Sequence, residues 1–159
     1  MDVLKQDPEN PMARMSMIDY YRTTGSTAQA DSIQETMLVN PKTPVSTKMI
    51  LMRQVVADNE KSGGDSTQVL NLFKRILKQP QETSDMAELY AAYMTLKKMP
   101  QDSITKVLET VLTISPDNAA ARLQLIQTVW NEKDFDKVIE LSRQALDYNP
   151  DEMAFYYFL

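Results

Sequence analysis

The side chains of this sequence that could take part in catalysis are nearly all carboxylates. There is no cysteine and no histidine, which removes thiolate nucleophiles, imidazole acid–base chemistry and Cys/His sites for zinc or haem. Asp85 and Glu88 are one helical turn apart, and paired carboxyl groups can perform acid–base catalysis. They also open a predicted helix, where acidic side chains favour the helix dipole. We interpret them as helix-start residues and expect a protein that is not an enzyme.

Three short motifs resemble ligand sites but lack residues that those sites require. Gly63 and Gly64 are not followed by the lysine of a phosphate-binding loop. Residues 134–136, Asp-Phe-Asp, begin like a calcium loop but lack its glycine and closing glutamate. Residues 41–44, Pro-Lys-Thr-Pro, match a proline-rich ligand pattern, which we interpret as a linker. We therefore expect no metal and no cofactor.

The charge and hydrophobicity of the chain favour a protein or peptide partner. The net charge is −5, whereas binding to nucleic acid depends on Lys and Arg side chains that release counterions. No basic run is longer than Lys97-Lys98, which also argues against an anionic membrane surface. No apolar stretch approaches the roughly 18 residues that span a bilayer, so we expect no membrane insertion. The sequence does not assign a compartment.

Five prolines indicate an internal repeat. Pro8, Pro41, Pro80, Pro116 and Pro150 follow one another at spacings of 33, 39, 36 and 34 residues. Each follows an apolar run with helical spacing and precedes the next such run, where proline would stop a helix. Residues 8–18 and 116–126 are identical at five of eleven positions. We infer a chain of similar units about three dozen residues long.

The apolar spacing inside each unit predicts two helices. Met17, Ile18 and Tyr21 follow the i, i+1, i+4 pattern of one helix face. The predicted helix pairs are about 11–24 with 27–39, 45–60 with 66–79, 85–98 with 103–114, and 119–131 with 135–148. The predicted N-caps, which offer a side-chain oxygen to a helix start, are Asn10, Ser84, Asp102, Asn118, Asp134 and Asp151.

This pattern resembles the tetratricopeptide repeat family, in a divergent form. The family's small and apolar positions and its late proline are matched in unit four by Leu125, Val138, Ala145 and Pro150. Unit one matches them with Met17, Ala30, Met37 and Pro41, whereas Ile18, Met52 and Ile126 replace the family's glycine. The resemblance implies an all-α fold, a right-handed α-solenoid of antiparallel helix pairs. We expect one domain with repeats at about 11–40, 44–80, 84–116 and 118–150, and partial repeats at 1–8 and 151–159.

The resemblance also implies a binding groove along the first helix of each repeat, for a peptide or a helical segment. Carried onto this sequence, the groove residues are Met12, Met15, Asp19 and Arg22; Met49, Arg53 and Val56; Ala87, Ala91 and Met94; Leu123, Gln127 and Trp130; and Tyr157. Methionines suit varied apolar ligands, and tryptophan is frequent among residues that dominate binding. For the methionines a core position is an equal alternative, and the area that Trp130 must bury favours the core.

Two functions remain open from the sequence. The first is a non-catalytic interaction module or scaffold that binds a partner protein in its groove. The second is a regulatory or spacer region of a larger enzyme or receptor, without a ligand of its own. The partial repeats at both ends suggest a fragment of a longer array. Apolar surface at those ends would also allow copies of the chain to self-associate.

Overall fold

A computed structural model describes residues 5–159, and within that range the chain is helical and contains no strand. The helices are α1 (Pro11–Thr23), α2 (Thr27–Val39), α3 (Val45–Ser62), α4 (Ser66–Leu77), α5 (Asp85–Leu96), α6 (Gln101–Ile114), α7 (Ala119–Asn131), α8 (Phe135–Tyr148) and α9 (Met153–Tyr157). The first eight begin and end within two residues of the predicted bounds. Residues 1–4, which belong to the predicted first partial repeat, lie outside the described residues.

The chain divides into two compact units, Met1–Pro80 and Gln81–Leu159, here called the N-terminal and the C-terminal unit. The division falls between the second and third predicted repeats. In each unit consecutive helices pack against each other as pairs, α1 with α2 and α3 with α4, then α5 with α6 and α7 with α8. Helix α9 packs against α8. Each unit is thus built from two helix pairs, and the second also contains α9.

Four of the repeated prolines occupy the same position in the same kind of turn. The backbone N–H of Asn10, Thr43, Asn118 and Glu152 each donates to the carbonyl oxygen three residues earlier, at 3.1–3.2 Å. Proline is the second residue of each of these turns, where its fixed φ is favourable. The prolines are therefore spaced as the repeat is spaced because each begins the turn that leads into a new helix pair.

The residue six positions after a proline binds back to it in three of these turns. The Nε atoms of Arg14 and Arg122 donate to the carbonyl oxygens of Pro8 and Pro116 at 2.8 and 2.7 Å. In the last repeat the hydroxyl of Tyr156 makes the same bond to Pro150 at 3.0 Å. Arg14 and Arg122, which make the first two of these contacts, occupy the same position when residues 8–18 and 116–126 are aligned. The third contact was not visible in the sequence, because a tyrosine replaces the arginine.

In three of these turns the side chain at the fourth position caps the following helix. The side-chain oxygens of Asn10, Asn118 and Glu152 accept bonds from the backbone N–H of Ala13, Ala121 and Ala154 at 3.0, 3.0 and 3.3 Å. The caps predicted at Asn10, Asn118 and Asp134 are confirmed.

Of the other three predicted caps, two are at the wrong residue, and the third, Ser84, takes the N-cap position without a capping hydrogen bond. Asp151 is replaced by Glu152, one residue later. Asp102 lies inside the first turn of α6, because the helix already starts at Gln101 with Pro100 before it. Ser84 precedes α5, but its hydroxyl donates to the Glu88 carboxylate at 2.6 Å rather than accepting from the backbone.

The second repeat carries its extra residues in α3. This helix has 18 residues, whereas α1, α5 and α7 have 13, 12 and 13. The five extra residues match the spacing of 39 rather than 34 between Pro41 and Pro80. Helix α3 ends at Gly63, whose φ of 62° is the left-handed conformation that favours glycine. The last turns of α3 are therefore an addition to the common repeat.

Candidate functional site

The predicted groove residues of the N-terminal unit differ in their exposure. Met12, Asp19 and Arg53 are exposed, and Met15 and Val56 are half-buried. Met49 is only 8% exposed, so it is a core residue, which was the alternative to a groove position for each methionine. Its neighbour Ile50 is 56% exposed and takes the outward position on α3.

In the third repeat the outward face of α5 lies one residue later than the predicted face. Ala87, Ala91 and Met94 are buried, with exposures of 0%, 2% and 3%. The exposed face of α5 includes Glu88, Ala92, Thr95 and Leu96, of which Leu96 is 61% exposed. It is partly polar and meets α7. The Asn118 amide donates to Glu88 at 2.9 Å, and the Gln124 amide lies 3.5 Å from the Thr95 hydroxyl.

Predicted groove residues from two different repeats come together in the C-terminal unit. The ring of Trp130 on α7 meets the ring of Phe158, after α9, edge to face at 5.7 Å between centroids. Tyr157 contacts Phe158 in the same way at 5.3 Å. On its other side Trp130 contacts Phe135, the first residue of α8, at 5.3 Å. These four residues, Trp130, Phe135, Tyr157 and Phe158, form what we call the aromatic cluster.

The aromatic cluster lies at the surface. Trp130 is 41% exposed, Phe135 51% and Tyr157 82%, while Phe158 is half-buried. The large area of Trp130 had favoured a core position, but its exposure is that of a surface residue. Gln127, one turn before Trp130, is also exposed, and Leu123 packs partly against the core of this unit.

A buried group of side chains fixes the helices that carry the aromatic cluster. Phe155 on α9 is fully buried, among Ile126 and Val129 of α7 and Val138 and Ala145 of α8. Leu141, Leu146 and Phe158 pack around this group. Between α7 and α8 the chain turns through Lys133, whose φ is 62°, and the Asp134 carboxylate accepts from the Lys137 N–H at 3.2 Å. The burial of Phe155 and the capped turn before α8 therefore position the backbone that carries Phe158 and Phe135.

A cleft of about 930 Å³ in the N-terminal unit was not predicted. It lies among α2, α3 and α4, with Arg22 from the end of α1, and we call it the α2–α4 cleft. Its apolar lining is Leu38, Val55, Val69 and Leu72. Its charged lining is Arg22, Asp31, Glu35, Asp58 and Arg75. A smaller cavity of about 390 Å³ shares Asp31, Glu35 and Arg75 with it.

Arg22, predicted as a groove residue, belongs to a hydrogen-bond network at this cleft. Its Nη2 donates to the side-chain oxygen of Gln34 at 2.5 Å, and its Nη1 lies 3.6 Å from the Asp58 carboxylate. Gln34 is 3% exposed, and its amide nitrogen donates to the Leu51 carbonyl oxygen at 3.1 Å. The buried amide thus joins α1, α2 and α3 and holds the guanidinium in place.

Across residues 5–159 there is no cluster of three or more acidic side chains that could hold a metal ion. None of the helices described above is both long and apolar enough to cross a membrane.

Comparison with known proteins identifies the fold. No protein-family model and no curated protein sequence matches the chain. Among solved structures, the MamA protein has a TM-score of 0.58 and 13% sequence identity, over 95% of this chain and 79% of that one. YrrB, described as a TPR protein with an unusual peptide-binding site, has a TM-score of 0.56 and 13% identity, over 99% of this chain and 78% of that one. The chain thus has the all-α tetratricopeptide-repeat fold, as the sequence predicted.

Proposed function

We propose that this chain is a non-catalytic interaction module that binds an apolar peptide or helical segment of a partner protein at the aromatic cluster. The observation that carries the proposal is that Trp130 and Tyr157, both exposed, contact the same ring, Phe158, at the surface. They belong to different repeats, occupy predicted groove positions and are joined through Phe158. YrrB, which has a similar fold, is described as having an unusual peptide-binding site, and this supports the same class of partner.

The chemistry of the cluster favours such a ligand. Exposed aromatic rings bury a large apolar area against a partner and lose little side-chain conformational entropy. Tryptophan and tyrosine therefore dominate many binding interfaces. The segment around Phe135 also carries Glu132, Asp134 and Asp136 against Lys133 and Lys137, which leaves it with one negative charge. A helix with apolar side chains on one face and lysines on the other would match both features.

The alternative function, a regulatory or spacer region without a ligand of its own, does not explain the exposed aromatic cluster. A region without a ligand of its own would be expected to cover or replace its large exposed aromatics, because exposed apolar patches promote association. A second copy of the chain is another occupant that the same surface could accept. The oligomeric state, measured by analytical ultracentrifugation, separates that outcome from binding to a different protein.

Trp130 is the only tryptophan of the chain, so its fluorescence reports directly on the proposed site. We expect an amidated amphipathic peptide, with leucine and phenylalanine at i, i+3, i+4 and i+7 and lysine elsewhere, to shift its emission to the blue and protect it from acrylamide. A peptide of the same composition in scrambled order is the control. If both peptides act equally, or neither acts, the proposal is wrong.

Substitutions then test whether the cluster itself binds. Calorimetry should show that Trp130→Ala weakens binding of the amphipathic peptide by about 2 kcal/mol, which raises its dissociation constant roughly thirty-fold. Tyr157→Ala should weaken it by a smaller factor. Tyr20→Ala is the matched control, because Tyr20 is an exposed tyrosine of the N-terminal unit. Equal losses for the two tyrosine variants would place the binding elsewhere.

A further inference from the structure

We propose that the α2–α4 cleft is a second binding site, which accepts a lysine or arginine side chain, flanked by apolar residues, from a peptide segment of a partner protein. The site lies wholly in the N-terminal unit, so it is independent of the aromatic cluster. Its volume of about 930 Å³ falls within the range of about 300–1,000 Å³ that is usual for ligand sites.

The cleft exists because of the extra turns of α3. A first helix of 13 residues, like α1 and α7, would end near position 57. Asp58, Asn59 and Ser62 all lie beyond that point, and all three line the cleft. The added residues therefore form one wall of the site.

The charges that line the cleft favour a cation. The Arg22 guanidinium is engaged by Asp58 and Gln34, and Arg75 forms an ion pair with Glu35 between α4 and α2. In the part of the chain that the structure describes, the Asp31 carboxylate makes no ion pair and no side-chain hydrogen bond. Three carboxylates against two guanidinium groups leave the lining with one negative charge, located at Asp31.

The apolar lining suits the rest of such a side chain. Lysine and arginine bury their methylene stems against apolar surface while the charged end stays near water. Leu38, Val55, Val69 and Leu72 supply this surface, and Asp31 is exposed. An acidic ligand would meet Asp31 directly and would have to compete with Glu35 for Arg75. Opposite charge therefore selects a basic peptide over an acidic one.

The test is an NMR titration of the full chain, labelled with ¹⁵N, with three blocked tripeptides. These are acetyl-Leu-Arg-Leu-amide, its citrulline analogue, which is neutral and nearly isosteric, and acetyl-Leu-Glu-Leu-amide. We expect the arginine peptide to shift amide signals of cleft residues and to bind about three-fold more tightly than the citrulline peptide, as expected for one partly exposed ion pair. Added salt should reduce that difference.

Variants locate the effect. Asp31→Asn should make the arginine and citrulline peptides equivalent, whereas Glu109→Gln, which removes an exposed charge on α6, should not. Asn71→Trp, at an exposed position of the cleft wall, should abolish the cleft shifts for every peptide. Trp130→Ala should leave them unchanged, which distinguishes this site from the aromatic cluster.

Three results would overturn the proposal. The first is equal affinity of the wild-type protein for the arginine and citrulline peptides. The second is tighter binding of the glutamate peptide. The third is a set of shifted amides that lies outside the cleft or that survives Asn71→Trp.

Discussion

Phe155→Ala should destabilise the C-terminal unit by about 3 kcal/mol. Phe155 is fully buried and is the only buried side chain of α9. Truncation of a buried phenylalanine costs about 3–5 kcal/mol where the cavity stays open. Helix α9 has five residues, so in the variant it can undock from α7 and α8 instead of leaving a cavity in the core. The loss of stability then cannot exceed the free energy with which α9 docks in the wild type. We therefore expect the lower end of that range.

Urea denaturation followed through Trp130 measures this effect in the C-terminal unit. With an m-value of about 1.5 kcal/mol/M, a loss of 3 kcal/mol lowers the midpoint by roughly 2 M. Release of α9 also removes the contact between Phe158 and Trp130, so the emission of the variant should be red-shifted before any urea is added.

Phe135→Ala is the matched control for this experiment. It removes the other aromatic neighbour of Trp130, but Phe135 is 51% exposed, so its loss should cost less than about 1 kcal/mol. A similar loss of stability in both variants would refute the role assigned to Phe155. An unchanged emission in Phe155→Ala, together with a loss below about 1 kcal/mol, would refute it as well.

Three further substitutions, each followed by urea denaturation and circular dichroism, test the N-terminal unit. Gln34→Leu should cost about 2 kcal/mol, because it leaves the Leu51 carbonyl and the Arg22 guanidinium without their buried partner; Gln29→Leu, at an exposed position of the same helix, is the control. Gly63→Ala should cost about 1 kcal/mol through backbone conformation alone, since nothing lies within 4 Å of the added Cβ. Burial lowers the pKa of Lys48 below its usual 10.5, so the unfolded chain holds the proton more tightly. The wild type should gain stability as the pH rises toward 10.5, and Lys48→Met should be more stable at pH 7 and lack that gain.

The helices were predictable because two independent signals coincide. Apolar residues recur at helical spacing, and four of the five repeated prolines fall at the second position of a turn that precedes the first helix of a repeat. Either signal alone would leave the bounds uncertain. The spacing of 39 between Pro41 and Pro80 also indicates the added turns of α3, which the predicted helix 45–60 contains except for its last two residues, and these turns form a wall of the α2–α4 cleft. The rest of the cleft depends on contacts among four helices, which no local pattern specifies.

The orientation of α5 could not be read from its sequence. Its apolar residues surround the helix, and Met86, Ala87, Tyr90, Ala91, Tyr93 and Met94 are all buried. A helix that is apolar on most sides has no single stripe to define its inward face. The predicted face was therefore displaced by one residue, about 100° around the helix axis. In α4 the buried residues Val69, Leu70, Phe73 and Ile76 form one stripe, so in that helix the apolar spacing defines the inward face.

The cap errors have a similar physical origin. Asp, Ser and Asn are good caps, but a helix start is also set by the turn before it. In the last repeat the turn that begins at Asn149 places Glu152, rather than Asp151, at the cap. Before α6 the carbonyl of Pro100 accepts from Ser103 and Ile104, so the helix begins before Asp102. The side-chain preference decides only among positions that the turn allows.

Helix α9 links the stability of the C-terminal unit to its proposed binding surface. Phe155 faces the core, while Tyr157 and Phe158, two and three residues later, complete the aromatic cluster around Trp130. Since the cluster is complete only when α9 is docked, a ligand that contacts all of it binds the docked state more tightly than the undocked state. Such a ligand must stabilise docking by an amount that grows with its concentration relative to its dissociation constant. Amide hydrogen exchange in α9 should therefore slow when the amphipathic peptide is added, and it should slow less in Trp130→Ala, although Trp130 lies on another helix.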